Sequence, residues 1–131
     1  MTKQQSKVQS RSRRAKPVSY ETVRQLALAL PDVEEGLSDG TPVLRVRGKR
    51  IAHLQKDEES LLIKIDYSKR DILLNAEPET FYVTDFYRCH PMMFVRLPAV
   101  EREVLRELLE QAWRLTAPKR LVEAYDVSVS E

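Results

Sequence analysis

The chain is poor in the residues that most enzyme and metal sites are built from. It has one cysteine, Cys89, so no intrachain disulfide framework is available. It has two histidines, His53 and His90, and no cysteine pair at zinc-ligand spacing, so no metal site is expected. Three glycines leave no phosphate-cradling loop, and the pattern G-x-x-x-x-G-K is absent. Cys89 with a neighbouring histidine is the one conceivable nucleophile pair, but nothing marks an orienting group or an oxyanion donor. We therefore expect no enzyme and no cofactor. No stretch approaches the roughly 18 apolar residues of a membrane-crossing helix. The polar, basic N-terminus lacks the apolar run of a secretory signal. With the single cysteine, these features point to the cytoplasm and away from membranes.

What is present is a globular composition. Of 131 residues, 42% are hydrophobic and 32% charged, which suits one domain. The net charge of +2 conceals a split. Residues 1–16 hold Lys3, Lys7, Arg11, Arg13, Arg14 and Lys16 and no acid. Taking those six from the 22 basic residues leaves 16 against 20 acidic ones, so the remainder carries −4. Residues 1–16 have almost nothing to bury and are expected to be a disordered basic tail. Residues 17–126 are expected to form the domain, and residues 127–131 to fray.

Apolar periodicity orders that domain. Ser19 can cap a first helix, with Val18 and Val23 placed for a hydrophobic staple, and Pro31 ends it. Val33 to Ser38 reads as an edge strand, and Gly40-Thr41-Pro42 as a turn. Val43 to Arg47 and Arg50 to Leu54 form a hairpin around Gly48-Lys49, a type II′ pattern. That register sets Arg47 opposite Arg50, Val46 opposite Ile51 and Leu44 opposite His53. Ser60 to Ile65 alternates as a strand. Ser68 and Asp71 form a capping pattern for a short helix that ends before Pro78. Phe81 to Thr84 and Met92 to Leu97 read as strands flanking an aromatic loop. A helix from about Glu101 to Leu115 carries the stripe Val104, Leu105, Leu108, Leu109, Ala112 and Leu115. Pro118 starts a last turn of helix over residues 118–125. Hairpin-length connections favour an antiparallel sheet. The expected fold is α+β: a two-layer α/β sandwich with about five strands and the N- and C-terminal helices on one face.

Several strings, in their order, resemble the MmcQ/YjbR family. They are Leu28-Ala29-Leu30-Pro31-Asp32-Val33-Glu34-Glu35, Gly40-Thr41-Pro42, and Arg45-Val46-Arg47-Gly48-Lys49. They continue with Pro78-Glu79-Thr80-Phe81-Tyr82-Val83-Thr84, His90-Pro91 and Val95-Arg96-Leu97. They end with Ala112-Trp113-Arg114-Leu115 and Ala117-Pro118-Lys119-Arg120-Leu121. The resemblance covers roughly residues 18–123. It implies a frataxin/CyaY-like fold, with helices on one side of an antiparallel sheet. It also implies DNA binding through a double wing of β-hairpins.

Three cationic groups bear on such binding. Arg45, Arg47, Lys49 and Arg50 lie within six residues of the hairpin. They can follow a phosphate backbone, or they can be a solvated face paired with neighbouring acids. Lys119 and Arg120 can add a phosphate contact or favour the end of the preceding helix. The tail, with Arg11, Arg13 and Arg14, attracts polyanions without selecting among them, or is simply solvated. No aromatic residue interleaves with the hairpin arginines in sequence, so base stacking is not expected. Against DNA stand Asp32, Glu34, Glu35 and Asp39, and Asp57, Glu58 and Glu59. A phosphate backbone is repelled unless these acids lie elsewhere. The alternative is a protein- or small-molecule-interaction module at the aromatic loop, using Phe86, Tyr87, His90 and Met92, unless that loop is core.

Overall fold

Apolar alternation over residues 33–65 builds four consecutive antiparallel strands. In a computed structural model, which describes residues 17–130, these are β1 (Val33–Ser38), β2 (Thr41–Val46), β3 (Lys49–Leu54) and β4 (Ser60–Lys64). A first helix, α1 (Tyr20–Leu28), precedes them, and α2 (Tyr67–Ala76) follows. Then come β5 (Phe81–Tyr82), a 3₁₀ turn at Phe86–Cys89, β6 (Met92–Arg96) and a second 3₁₀ turn at Leu97–Ala99. Helices α3 (Arg102–Thr116) and α4 (Lys119–Val129) close the chain. The sheet has six strands in the order β1-β2-β3-β4-β6-β5, and every pairing is antiparallel. This is the α+β two-layer sandwich. Among the described residues no helix is long and apolar enough to cross a membrane.

One face of the sheet carries Leu44, Val46, Ile51, Ala52, Leu61, Ile63, Phe81, Met93 and Val95 into the main core. Val23 and Ala27 of α1 and Leu105, Leu108, Leu109, Ala112 and Trp113 of α3 meet them there. Each buried Leu or Ile contributes about 1.5–3 kcal/mol of hydrophobic stabilisation. Trp113, fully buried, donates its indole N–H to Pro31 O at 2.9 Å and so ties α3 to the end of α1. The other face holds a small cluster of Leu62, Met92 and Phe94, with Tyr82 and Tyr87 against it.

The hairpin differs from the expected register. Its turn residues are Arg47 and Gly48, at φ 51° and 84°, and Val46 pairs with Lys49. Positive φ at both central positions is the type I′ geometry, whose twist matches that of the flanking strands. Arg47 is thus a turn residue, and the second hairpin, at Asp39-Gly40, repeats the pattern with φ 54° and 83°. Farther in, Leu44 pairs with Ala52 but Arg45 with Arg50, which skips Ile51. This one-residue bulge turns Ile51 and Ala52 together into the core and leaves Arg50 beside Arg45 on the opposite face.

Other expectations are corrected locally. Asp66, not Ser68, caps α2, accepting from Lys69 N at 2.9 Å. Ser19 holds the cap position of α1 without a side-chain bond, although Val18 and Val23 are buried as expected. Strand β5 has two residues rather than four, because the chain leaves the sheet after Tyr82. Leu115 is exposed, and Trp113 takes the last inward place on α3. Helix α4 runs to Val129, through residues expected to fray, with Leu121, Val122 and Tyr125 against the core and Arg114 bound to Asp126 at 2.7 Å.

Candidate nucleic-acid interface

Strand alternation decides what the sheet shows on the side away from α1 and α3. On β2 that side carries Thr41, Val43 and Arg45; on β3, Arg50 and His53; on β4, Ser60, Leu62 and Lys64. On β6 it carries Met92, Phe94 and Arg96, and on β5 Tyr82. The registers Glu34↔Arg45, Arg45↔Arg50, Val43↔His53, His53↔Leu62 and Leu62↔Phe94 fix these assignments. None of the residues from β2 to β6 on this face is acidic. Glu34, on the edge strand β1, is its one carboxylate among the described strand residues.

Turns distribute the remaining charge. Successive hairpin turns alternate between the two ends of the sheet, so Arg47-Gly48 lies at one end. Asp39-Gly40 and Asp57 to Glu59 lie at the other. Arg47 and Arg120 line one groove of about 400 Å³ with Pro118, Leu121 and Ala124. The hairpin tip and the start of α4, far apart in sequence, thereby form one basic end, and Lys119 is exposed beside it. Arg47 is bound to Asp32 at 2.7 Å. Among the described residues, no acid lies within 4.0 Å of Arg45, Lys49, Arg50, Lys119 or Arg120. Arg45 is half-buried, with Nη1 3.3 Å from where a Cβ on Gly36 would stand, so the guanidinium reaches over β1. Arg11, Arg13 and Arg14 lie outside the described residues.

Of the seven acids that argued against DNA, Glu35 and Asp57 are bound within the fold, and Asp32 pairs with Arg47. Glu35 is on the helix side, accepting from Arg24 Nε at 2.8 Å and Tyr20 Oη at 2.7 Å. Arg24 and then Tyr20 hold its carboxyl below the ordinary range, while burial and that bond push the Tyr20 phenol up. Asp57 folds its own turn, accepting from Glu59 N, Ser60 N and Ser60 Oγ at 2.9 Å each. The Glu59 amide is the first cause of its lowered pKa. Asp66 is committed to its cap, and Asp85 pairs with Arg88 at 3.3 Å.

The aromatic loop divides. Met92 is buried and Tyr87 half-buried, both in the small cluster, so these two of the four proposed partner-site residues serve as core. Phe86 and His90 are exposed, their rings stacked at 5.2 Å and 16°. His90 Nδ1–H donates to Phe86 O at 3.1 Å. The loop is held from beneath by Arg70, which the sequence did not single out. It is only 5% exposed, and Nη1 donates to Tyr87 O, His90 O and Met92 O at 3.2, 2.8 and 3.0 Å. Nη2 donates to Arg88 O at 2.9 Å, and the guanidinium stands over the Tyr67 ring at 5.0 Å. Its partners are main-chain carbonyls, which leave no trace in side-chain pattern. Lys64 and Arg96 were also missed, though strand alternation from Leu62 and Phe94 places both. Arg96 lies over Tyr82 at 4.1 Å and lines a groove of about 540 Å³ with Asp57, Glu59 and Ser60. Among the described residues no three His, Cys, Asp or Glu side chains gather as a metal site.

The YjbR family model matches residues 28–115. Uncharacterized proteins of Mycobacterium bovis and Mycobacterium tuberculosis are each 38% identical over 53 residues, 40% of this chain. The match spans 41% of the length of those curated relatives. The crystal structure of Deinococcus radiodurans protein DR2400, a DUF419 domain, superposes with a TM-score of 0.65 at 23% identity. It covers 76% of this chain and 78% of that one, and shows the same fold.

Proposed function

The chain belongs to the YjbR family, and from that premise we propose that it is a non-enzymatic protein that binds DNA weakly and without sequence preference. The observation that carries this reading is the sheet face away from α1 and α3, which holds Arg45, Arg50, Lys64 and Arg96 and no acid from β2 to β6. Glu34, on the edge strand β1, is the one strand carboxylate that faces the same side. Phosphate contacts of this kind position a protein on DNA but do not read bases, hence the absence of sequence preference. The tail cations add affinity of the same non-selective sort, and the cytoplasm is where we place the activity.

Titration of the full chain with a labelled duplex, from 50 to 200 mM salt, tests the proposal. Four phosphate contacts give a log–log slope of about −3.6 and roughly a hundredfold loss across that range. Substituting Arg50, Lys64 and Arg96 by Ala removes three of those four cations, none of them in an ion pair, and should flatten the slope by about 2 to 3. A parallel chain with Arg11, Arg13 and Arg14 changed to Gln isolates the tail. If the first variant keeps the full slope and the second abolishes it, the folded domain is not the DNA-binding element.

A further inference from the structure

We infer that the ligand of this face is an unpaired DNA strand, its phosphates following Arg45, Arg50 and Lys64 and one of its bases stacking on the exposed ring of Phe86. The inference rests on the DNA-binding reading above and specifies the form of the nucleic acid. The hairpin arginines have no aromatic neighbour in sequence, but the sheet supplies one in space. Arg50, Lys64 and Met92 stand on the neighbouring strands β3, β4 and β6, at the same end of the sheet. Adjacent strands are about 4.8 Å apart, so the cations and the loop that leads into β6 fall within a few nucleotides of one another.

Phe86 is built as a platform. It is 70% exposed, whereas Phe81, Phe94 and Trp113 are buried. One side of its ring is backed by His90, stacked at 16°, and Tyr87 meets it edge-on at 4.9 Å and 87°. Arg70 fixes the carbonyls of Tyr87, Arg88, His90 and Met92, so the ring is held in place before any ligand arrives. A rigid exposed ring gains little from a duplex, whose base faces are already stacked on one another. It gains most from a splayed base, which every unpaired strand offers regardless of sequence. Cations along the backbone and an aromatic for the base are the two elements of single-strand binding.

The test uses the full chain at low salt with three labelled ligands: oligothymidylate of about 12 nucleotides, the same backbone without bases, and a duplex. Oligothymidylate should bind about tenfold tighter than the abasic strand. Phe86→Ala should erase that ratio while leaving duplex affinity and the salt slope unchanged, and Phe86→Trp should preserve it. Tyrosine-region circular dichroism confirms that the variants keep the loop packing. Equal binding of the abasic strand and oligothymidylate, or a ratio untouched by Phe86→Ala, overturns the inference while salt-dependent binding leaves the DNA reading standing. If no ligand binds in a salt-dependent way, the DNA reading itself fails, and this inference with it.

Discussion

Replacing Arg70 by Met removes a guanidinium that four carbonyls share and keeps an unbranched apolar stem. The Met92 carbonyl it serves is buried, and stranding such an acceptor costs about 1–3 kcal/mol. The carbonyls of Tyr87, Arg88 and His90 are only partly buried, so water can replace the bond, at about 0.5–1 kcal/mol each. Against this stands relief, because Nε of Arg70 is buried without a partner and, among the described residues, no carboxylate lies within 4.0 Å of the charge. Removing that unsatisfied donor returns about 1 kcal/mol, for a net loss of roughly 1.5–5 kcal/mol, a large share of the usual 5–15 kcal/mol. Urea unfolding should show it as a midpoint lowered by about 1–2 M with the slope unchanged. Amide exchange should rise most at residues 86–92, whose carbonyls are released, and least in β2 and β3. Arg70→Lys, which keeps the charge but lacks the planar fork, should lose about half as much stability. A midpoint for Arg70→Met within about 0.3 M of the parent would refute the reasoning, because the guanidinium would then not be what holds the loop.

Two further outcomes follow from local geometry. Asp66→Ala should cost about 0.5–2 kcal/mol, whereas Ser68→Ala should leave the thermal midpoint nearly unchanged; the reverse ranking would return the cap of α2 to Ser68. Acid sensitivity should centre on Glu35 and Asp57. Both carboxyls are held below their ordinary range, Glu35 by Arg24 and then Tyr20, Asp57 by the Glu59 amide before Ser60. The unfolded chain then binds more protons than the folded one, so stability is full above the unfolded carboxylate value of about 4 and falls as pH drops through the folded values. Unfolding curves of Glu35→Gln and Asp57→Asn should lie below the parent at neutral pH and converge on it under acid. A constant gap at all pH values would show that these carboxylates contribute nothing through ionisation.

Much of the architecture was legible because burial leaves periodic marks. The alternation in Val33 to Ser38 and Ser60 to Ile65, and the stripe from Val104 to Ala112, led to the right elements on the right face. Failures came where one residue of slip separates two answers. Gly48 suits two turn types, and the chain took the one that places Arg47 at positive φ, since pairing Val46 with Lys49 satisfies the ladder. The bulge at Ile51 carries no compositional signal, yet it decides that Arg50 points away from the core. Leu115 was assigned inward by spacing alone, but by the last turn of α3 the larger Trp113 had taken the remaining contact.

By itself, the order of residues determined the elements, the core and the list of cations, because these depend on local preference and on the removal of apolar surface from water. Only the tertiary structure decided which charges share a surface. Pairing across β1 to β6 gathers Arg45, Arg50 and Lys64 on one face, and it turns Glu35 to the helix side. Charge interacts through space rather than along the chain, so a net −4 for residues 17–131 could not reveal a face whose strands carry a single carboxylate, Glu34.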